Sequence, residues 1–210
     1  MSSVVISGDT SGAITLAAPA VAGTNTITLP AATGNVVLDS ATQTLTNKTI
    51  QGGAITSGTA VASTSGTSID FTSIPSWAKR ITVMFDQVSL NGASEIMIQL
   101  GTSGGIQNTG YFGTCGFSGV SNGSFTFSTG FVTFVDLSAV QALSGLASIC
   151  LLSIATTGTW TYSGNFSQAA SYTTNGAGSK TLSGTLDRIR ITTVNGTDTF
   201  DAGSINILYE

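Results

Sequence analysis

Residues 80–85 read Arg-Ile-Thr-Val-Met-Phe and residues 95–100 read Glu-Ile-Met-Ile-Gln-Leu, with Asn91-Gly92 between them. In the first run Ile81, Val83 and Phe85 alternate with Arg80, Thr82 and Met84. In the second, Ile96, Ile98 and Leu100 fall on one side. Successive strand side chains point to opposite faces, so this period of two marks half-buried strands. Asn-Gly is the dipeptide favoured by two-residue turns, and the two runs predict a β-hairpin.

The same pattern continues toward the C-terminus. Residues 123–127, 130–135, 148–155 and 159–166 are further strand candidates. Residues 185–194 and 204–209 follow, separated by a turn at Asn195-Gly196. Many strands at short spacing with Gly, Asn and Ser between them predict an antiparallel, jelly-roll-like β-sandwich over residues 59–210. Residues 136–143 alone have a helical look, with Asp136 placed to cap. The uncharged run 137–155 is long enough for a membrane span. Its serines and its neighbours of similar composition favour a short helical turn leading into a buried strand, so no membrane insertion is expected.

Composition narrows the functional classes. The chain has no histidine, is 8% charged and carries a net charge of −4, against about a quarter charged in ordinary globular domains. With 41% hydrophobic residues it is not a disordered chain. It holds no Lys/Arg cluster, and Arg188 and Arg190 on one strand face are too few for a nucleic-acid surface. So little charge does little to keep copies apart, and permanent assembly is favoured. Residues 1–9 have neither the basic nor the apolar part of a signal peptide. Cys115 and Cys150 have no metal-ligand spacing and no histidine to complete a site. They are read either as a disulfide or, preferably, as two small buried thiols.

Residues 1–58 behave differently from the rest. The stretch 11–19, SGAITLAAP, is echoed by 24–32, TNTITLPAA. Each has an Ile-Thr-Leu core whose Ile and Leu share one strand face. None of these apolar patches closes a core by itself, and isolated two-stranded units are marginal in water. Burial against the same patch in other copies around a threefold axis, with Ala17, Ala18 and Ala31 allowing close approach, resolves this. The expected organisation is therefore an N-terminal stem or attachment segment, 1–58, and a trimeric assembly. A flexible linker is the competing reading, and the regular Ile/Leu/Val placement counts against it.

Three strings make the chain similar to appendage proteins of tailed-bacteriophage virions. SGDTSGAITLAAPAVAGTNTITLPAATG (7–34) resembles a segment common in tail-fibre and related proteins. TQTLTNKTI (42–50) resembles a string found where fibre shafts meet distal domains. SIPSWAKRITVMFDQVSLNGASEIMIQLGTSGG (73–105), with the ending LDRIRITTVNGTDTFDAGSINILYE (186–210), is similar to a β-domain of many phage structural proteins. The resemblance implies a homotrimeric virion protein, assembled in the bacterial cytoplasm. Residues 1–58 would contact other virion proteins and the C-terminal domain would face the host. It does not separate a tail fibre from a capsid head fibre or decoration protein, and the middle, 111–178, carries no matching motif.

Phage fibres that cut polysaccharide need two carboxylates at a set separation. Asp70, Asp86, Glu95, Asp136, Asp187, Asp198, Asp201 and Glu210 form no such motif, so no catalytic residue and no cofactor is assigned. Asp198 and Asp201 near Asn195-Gly196 are the one set compatible with Ca2+, and turn chemistry accounts for them equally well; no metal site is assigned. Sugar binders set aromatic faces against pyranose rings. The candidate contacts with a host-surface glycan are Trp160 and Tyr162, on one side of a strand, and Tyr111 and Phe112 near Gln107 and Asn108. Against this stands the ordinary role of strand aromatics as core. Trp77, after Pro75, reads as structural.

Overall fold

The computed structural model describes residues 3–7, 10–17, 21, 24, 55–133, 141–153, 158–168 and 172–210. Among them every regular element is a strand and every pairing is antiparallel. Contacts divide the chain into residues 1–48 and 49–210.

In the first unit β1 (Ser3–Ser7) pairs with β2 (Ala13–Ala17), placing Ile6 opposite Ile14 and Val4 opposite Leu16. The Ile14-Thr15-Leu16 core is thus a strand, as its alternation predicts, and Val5 and Ile6 are exposed. The echo at 24–32, except Thr24, and the string at 42–50 lie outside the described residues.

The second unit begins with β3 (Thr56–Ser57), β4 (Val61–Ala62) and β5 (Ser68–Phe71). Then come β6 (Arg80–Leu90), β7 (Ile96–Thr102), β8 (Gly105–Gln107) and β9 (Tyr111–Gly119). β10 (Asn122–Phe127), β11 (Phe131–Val132), β12 (Leu143–Ser153) and β13 (Thr159–Gln168) follow. The last are β14 (Tyr172–Thr181), β15 (Arg188–Thr193) and β16 (Phe200–Tyr209).

A nine-stranded sheet has the order β10-β9-β14-β13-β12-β6-β16-β3, with β4 also on β16. A five-stranded sheet has the order β11-β7-β15-β5, with β8 also on β7. Ile81, Val83 and Phe85 from the large sheet and Ile96, Ile98, Leu100, Ile189 and Ile191 from the small one belong to a single buried cluster.

Asn91-Gly92 does not close the predicted hairpin. β6 lies in the large sheet and β7 in the small one, so the dipeptide turns the chain from one sheet to the other. Asn195-Gly196 does the same between β15 and β16. The two crossings are fastened together. Asn91 Oδ1 accepts from Thr199 N at 2.8 Å, and Asp198 Oδ2 accepts from Ser94 N at 2.9 Å. Asn195 Oδ1 accepts from Thr197 N at 3.0 Å and Asp198 N at 3.1 Å. Asp201 accepts from the Ser89 hydroxyl. Of the carboxylates considered for Ca2+, Asp198 is engaged between the two loops and Asp201 bonds Ser89 between β16 and β6; the described residues contain no cluster of His, Cys, Asp and Glu suited to a metal.

Two long strands escape a pattern search. β9 (YFGTCGFSG) and β14 (YTTNGAGSKT) are rich in Gly, Ser and Thr, and their inward side carries Gly113, Gly176 and Gly178 where an apolar side chain is expected. Aromatic rings from neighbouring strands fill that space. A Cβ on Gly113 would come within 2.5 Å of Phe127 Cζ, and one on Gly164 within 2.3 Å of Tyr162 Oη. The predicted helix over 136–143 is contradicted at its end, where Leu143 is the first residue of β12; 136–140 lie outside the described residues. Residues 143–153 of the uncharged run are strand, and no helix among the described residues is long and apolar enough to cross a membrane. Both cysteines are free thiols, Cys115 buried and Cys150 half-buried.

Residues 56–57 belong by pairing to the C-terminal unit, since Thr56 and Ser57 sit opposite Tyr209 and Leu208. A division after residue 58 would cut this edge from its sheet.

Candidate binding face

The period of two decides where the four aromatic candidates point. Tyr111 sits opposite Lys180, and Trp160 sits opposite Lys180 and Leu151. Tyr111, Trp160 and Tyr162 therefore share the inward side of the large sheet and are 5%, 3% and 3% exposed. Phe112, one residue on, must face the other way and is 81% exposed.

The three inward rings build the contact between the sheets. Phe131 of β11 stacks on Tyr162 at 4.6 Å between centroids and takes the Tyr111 ring edge-on at 4.9 Å. Tyr111 Oη accepts from Leu100 N at 2.6 Å and donates to Gln107 O at 2.9 Å. Tyr162 Oη donates to Val132 O at 3.4 Å. Trp160 lines a small pocket of about 140 Å³ with Pro75, Ala78, Leu151 and Leu186. Burial raises both tyrosine pKa values well above the ordinary 10.0. As glycan contacts Trp160, Tyr162 and Tyr111 are thus corrected: their rings are buried in core packing.

Phe112 remains, and its surroundings are new. It borders a groove of about 790 Å³ on the outward side, with Thr114, Thr126, Ser128, Ala177 and Ser179. Register places Phe112 opposite Ser179, and Thr114 between Thr126 and Ala177. An exposed ring therefore stands over a floor of small residues and hydroxyls.

The groove is part of a broader neutral surface. The outward positions of β9, β10, β12, β13 and β14 hold Ser, Thr, Asn, Gly and Ala together with Phe112, Leu146, Cys150 and Leu152. None is charged. Lys180, the one charged residue in these five strands, points inward and is 6% exposed. Its ammonium donates to Thr181 O at 2.7 Å and lies 5.5 Å from the Tyr111 ring centroid, and burial lowers its pKa. The ion pairs Arg80–Glu210, Arg188–Asp187 and Arg190–Asp70 lie on β5, β6, β15 and at the end of β16. Sequence reading missed Thr114, Ala177 and Ser179 because β9 and β14 carry no apolar alternation, and missed Thr126 and Ser128, in and beside the predicted strand 123–127, because nothing in that strand shows which strand it borders. Once Tyr111-Phe112 is placed on a strand, the opposite facing of the pair follows.

No protein-family model, curated protein or solved structure matches the chain.

Proposed function

We propose that this chain is a structural appendage protein of a tailed-bacteriophage virion, a homotrimeric fibre without enzymatic activity. The segment ahead of β3 attaches to other virion proteins or intertwines as a short stem. The C-terminal unit is a jelly-roll-like β-sandwich that faces outward and holds a neutral, hydroxyl-rich glycan of the host surface. The reading rests on the three strings that resemble phage appendages. The observation that carries the binding step is the uncharged outward face with Phe112 above its groove.

The chemistry is complementary. An aromatic face packs on the apolar side of a pyranose, and Ser and Thr hydroxyls both donate and accept toward sugar hydroxyls. A flat neutral face offers nothing to a polyanion. One such site binds weakly, and three copies on a trimer with many trimers on a particle raise the effective concentration enough for firm attachment. No acid lies in the groove, so the glycan is held and not cut.

The deciding experiment is adsorption of particles carrying Phe112→Ala. Adsorption should fall while the melting curve of the protein stays in place. Unchanged adsorption with an intact fold rejects the groove. That result favours a head fibre or decoration protein without a receptor, a reading already helped by the burial of three of the four aromatic candidates.

A further inference from the structure

Trp160 gives its ring to the core, but its indole nitrogen is left over. The N–H donates to no acceptor among the described residues. Of those residues only Gln168 and Thr174 hold polar side-chain atoms that are both unpaired and sealed from solvent. The Trp160 N–H, unpaired but not sealed, therefore meets solvent at the small pocket that Trp160 lines. At 3% exposure little else of the residue is free.

The pocket lies between residues 75–79 ahead of β6, the facing ends of β12 and β13, and the link from β14 to β15. Pro75, Ala78, Leu151 and Leu186 supply carbon walls. Backbone oxygens along it are already engaged. Pro75 O accepts from Ala78 N at 3.0 Å, Lys79 O from Leu151 N at 2.8 Å and Gly158 O from Leu182 N at 3.0 Å. Ser76 O accepts from the Lys79 ammonium at 3.4 Å, a long bond that occupies one of that group's three donors. The side chains still offer the indole N–H, the rest of the ammonium and the hydroxyls of Ser76 and Thr185. The adjoining acids, Asp187 and Glu210, are paired with Arg188 and Arg80, and neither lines the pocket.

We infer that this pocket binds a small monocarboxylate, whose oxygens accept from the Trp160 indole and the Lys79 ammonium while its carbon chain rests on Ala78, Leu151 and Leu186. A carboxylate only accepts, which matches side chains that mainly donate, and the ammonium makes a charge-assisted bond to it. A primary amide of the same shape brings N–H donors that need acceptors the pocket has already engaged, and donors left unmet weaken binding. Size sets the upper limit. The pocket's 140 Å³ or so is close to the roughly 150 Å³ of a cavity that takes up benzene, so about six heavy atoms fit. The pocket shares no lining residue with the outward groove at Phe112, and the inference stands apart from the glycan reading.

The test follows the indole N–H signals of the isotope-labelled full chain by NMR. The chain has two tryptophans, and Trp77→Phe identifies the Trp160 signal. Propionate should shift that signal saturably, with a Kd of roughly a millimolar, within what so few heavy atoms can supply. Propionamide should bind at least about tenfold more weakly. Lys79→Met, a change to an exposed side chain, should weaken propionate binding at least about tenfold and leave the melting curve in place. A Trp160 signal that propionate does not move overturns the inference. So does equal binding of propionamide, or wild-type affinity in a folded Lys79→Met protein.

Discussion

Phe112 and Tyr111 are neighbours in the chain and sit on opposite sides of β9, one nearly free and one in the core. Substitution should separate their roles. Phe112→Ala should change stability by no more than about 0.5 kcal/mol, as exposed substitutions usually do, and should act on adsorption. Trp160→Ala, by contrast, should cost about 3–5 kcal/mol in urea unfolding through the cavity it leaves beside Leu151 and Leu186. A stable Trp160→Ala protein would return that residue to the list of surface contacts. Buried acids add a pH dependence. Burial pushes the Cys115 thiol from 9.0 up to about 12 and raises the hydroxyls of Tyr111 and Tyr162 above 10.0. Well below pH 9 these groups are protonated in folded and unfolded chains alike, and their contribution is constant. Above it the unfolded chain ionises first, so stability falls as pH rises from 9 toward 12. The loss is up to about 1.4 kcal/mol per pH unit for each group. Urea midpoints measured from pH 8 to 11 should stay flat and then decline, less steeply in Tyr162→Phe.

At the scale of strands and turns, glycine explains what pattern reading left blank. β9 and β14 lack inward side chains at Gly113, Gly176 and Gly178, and Phe127 and Tyr162 occupy the space. Gly164 of β13 is crowded in the same way, and Gly164→Ala should destabilise the domain by about 1–3 kcal/mol, because its new methyl would come within 2.7 Å of Phe166 as well as onto Tyr162 Oη. A melting temperature equal to that of the wild type would show that the ring moves freely. The two inter-sheet crossings behave as one element. Asn195→Ala removes an acceptor shared by Thr197 N, Asp198 N and the Thr193 hydroxyl, and a loss of about 1–3 kcal/mol is expected. Hydrogen exchange should quicken in residues 91–95 as well as 195–199, since Asp198 ties the two loops together. The Asn-Gly dipeptides were legible as turns. Their partners were not, because a turn signal specifies a local reversal and says nothing about which sheet receives the next strand.

For the whole molecule, sedimentation of the full chain should give a trimer, and a monomer at micromolar concentration would refute the stem. A chain of residues 49–210 retains β3 on β16 and should keep the domain's melting behaviour while losing incorporation into particles. The sequence by itself determined the β class, the strands with apolar alternation and the scarcity of charge. Each of these depends on residue type and period alone. Tertiary structure decided which side of each strand became core and how strands were shared between two sheets. It also turned the Gly-rich middle into two full strands. Those outcomes depend on what lies across the sheet: Phe131 meets Tyr111 and Tyr162 in the core, and Phe112 is left facing outward.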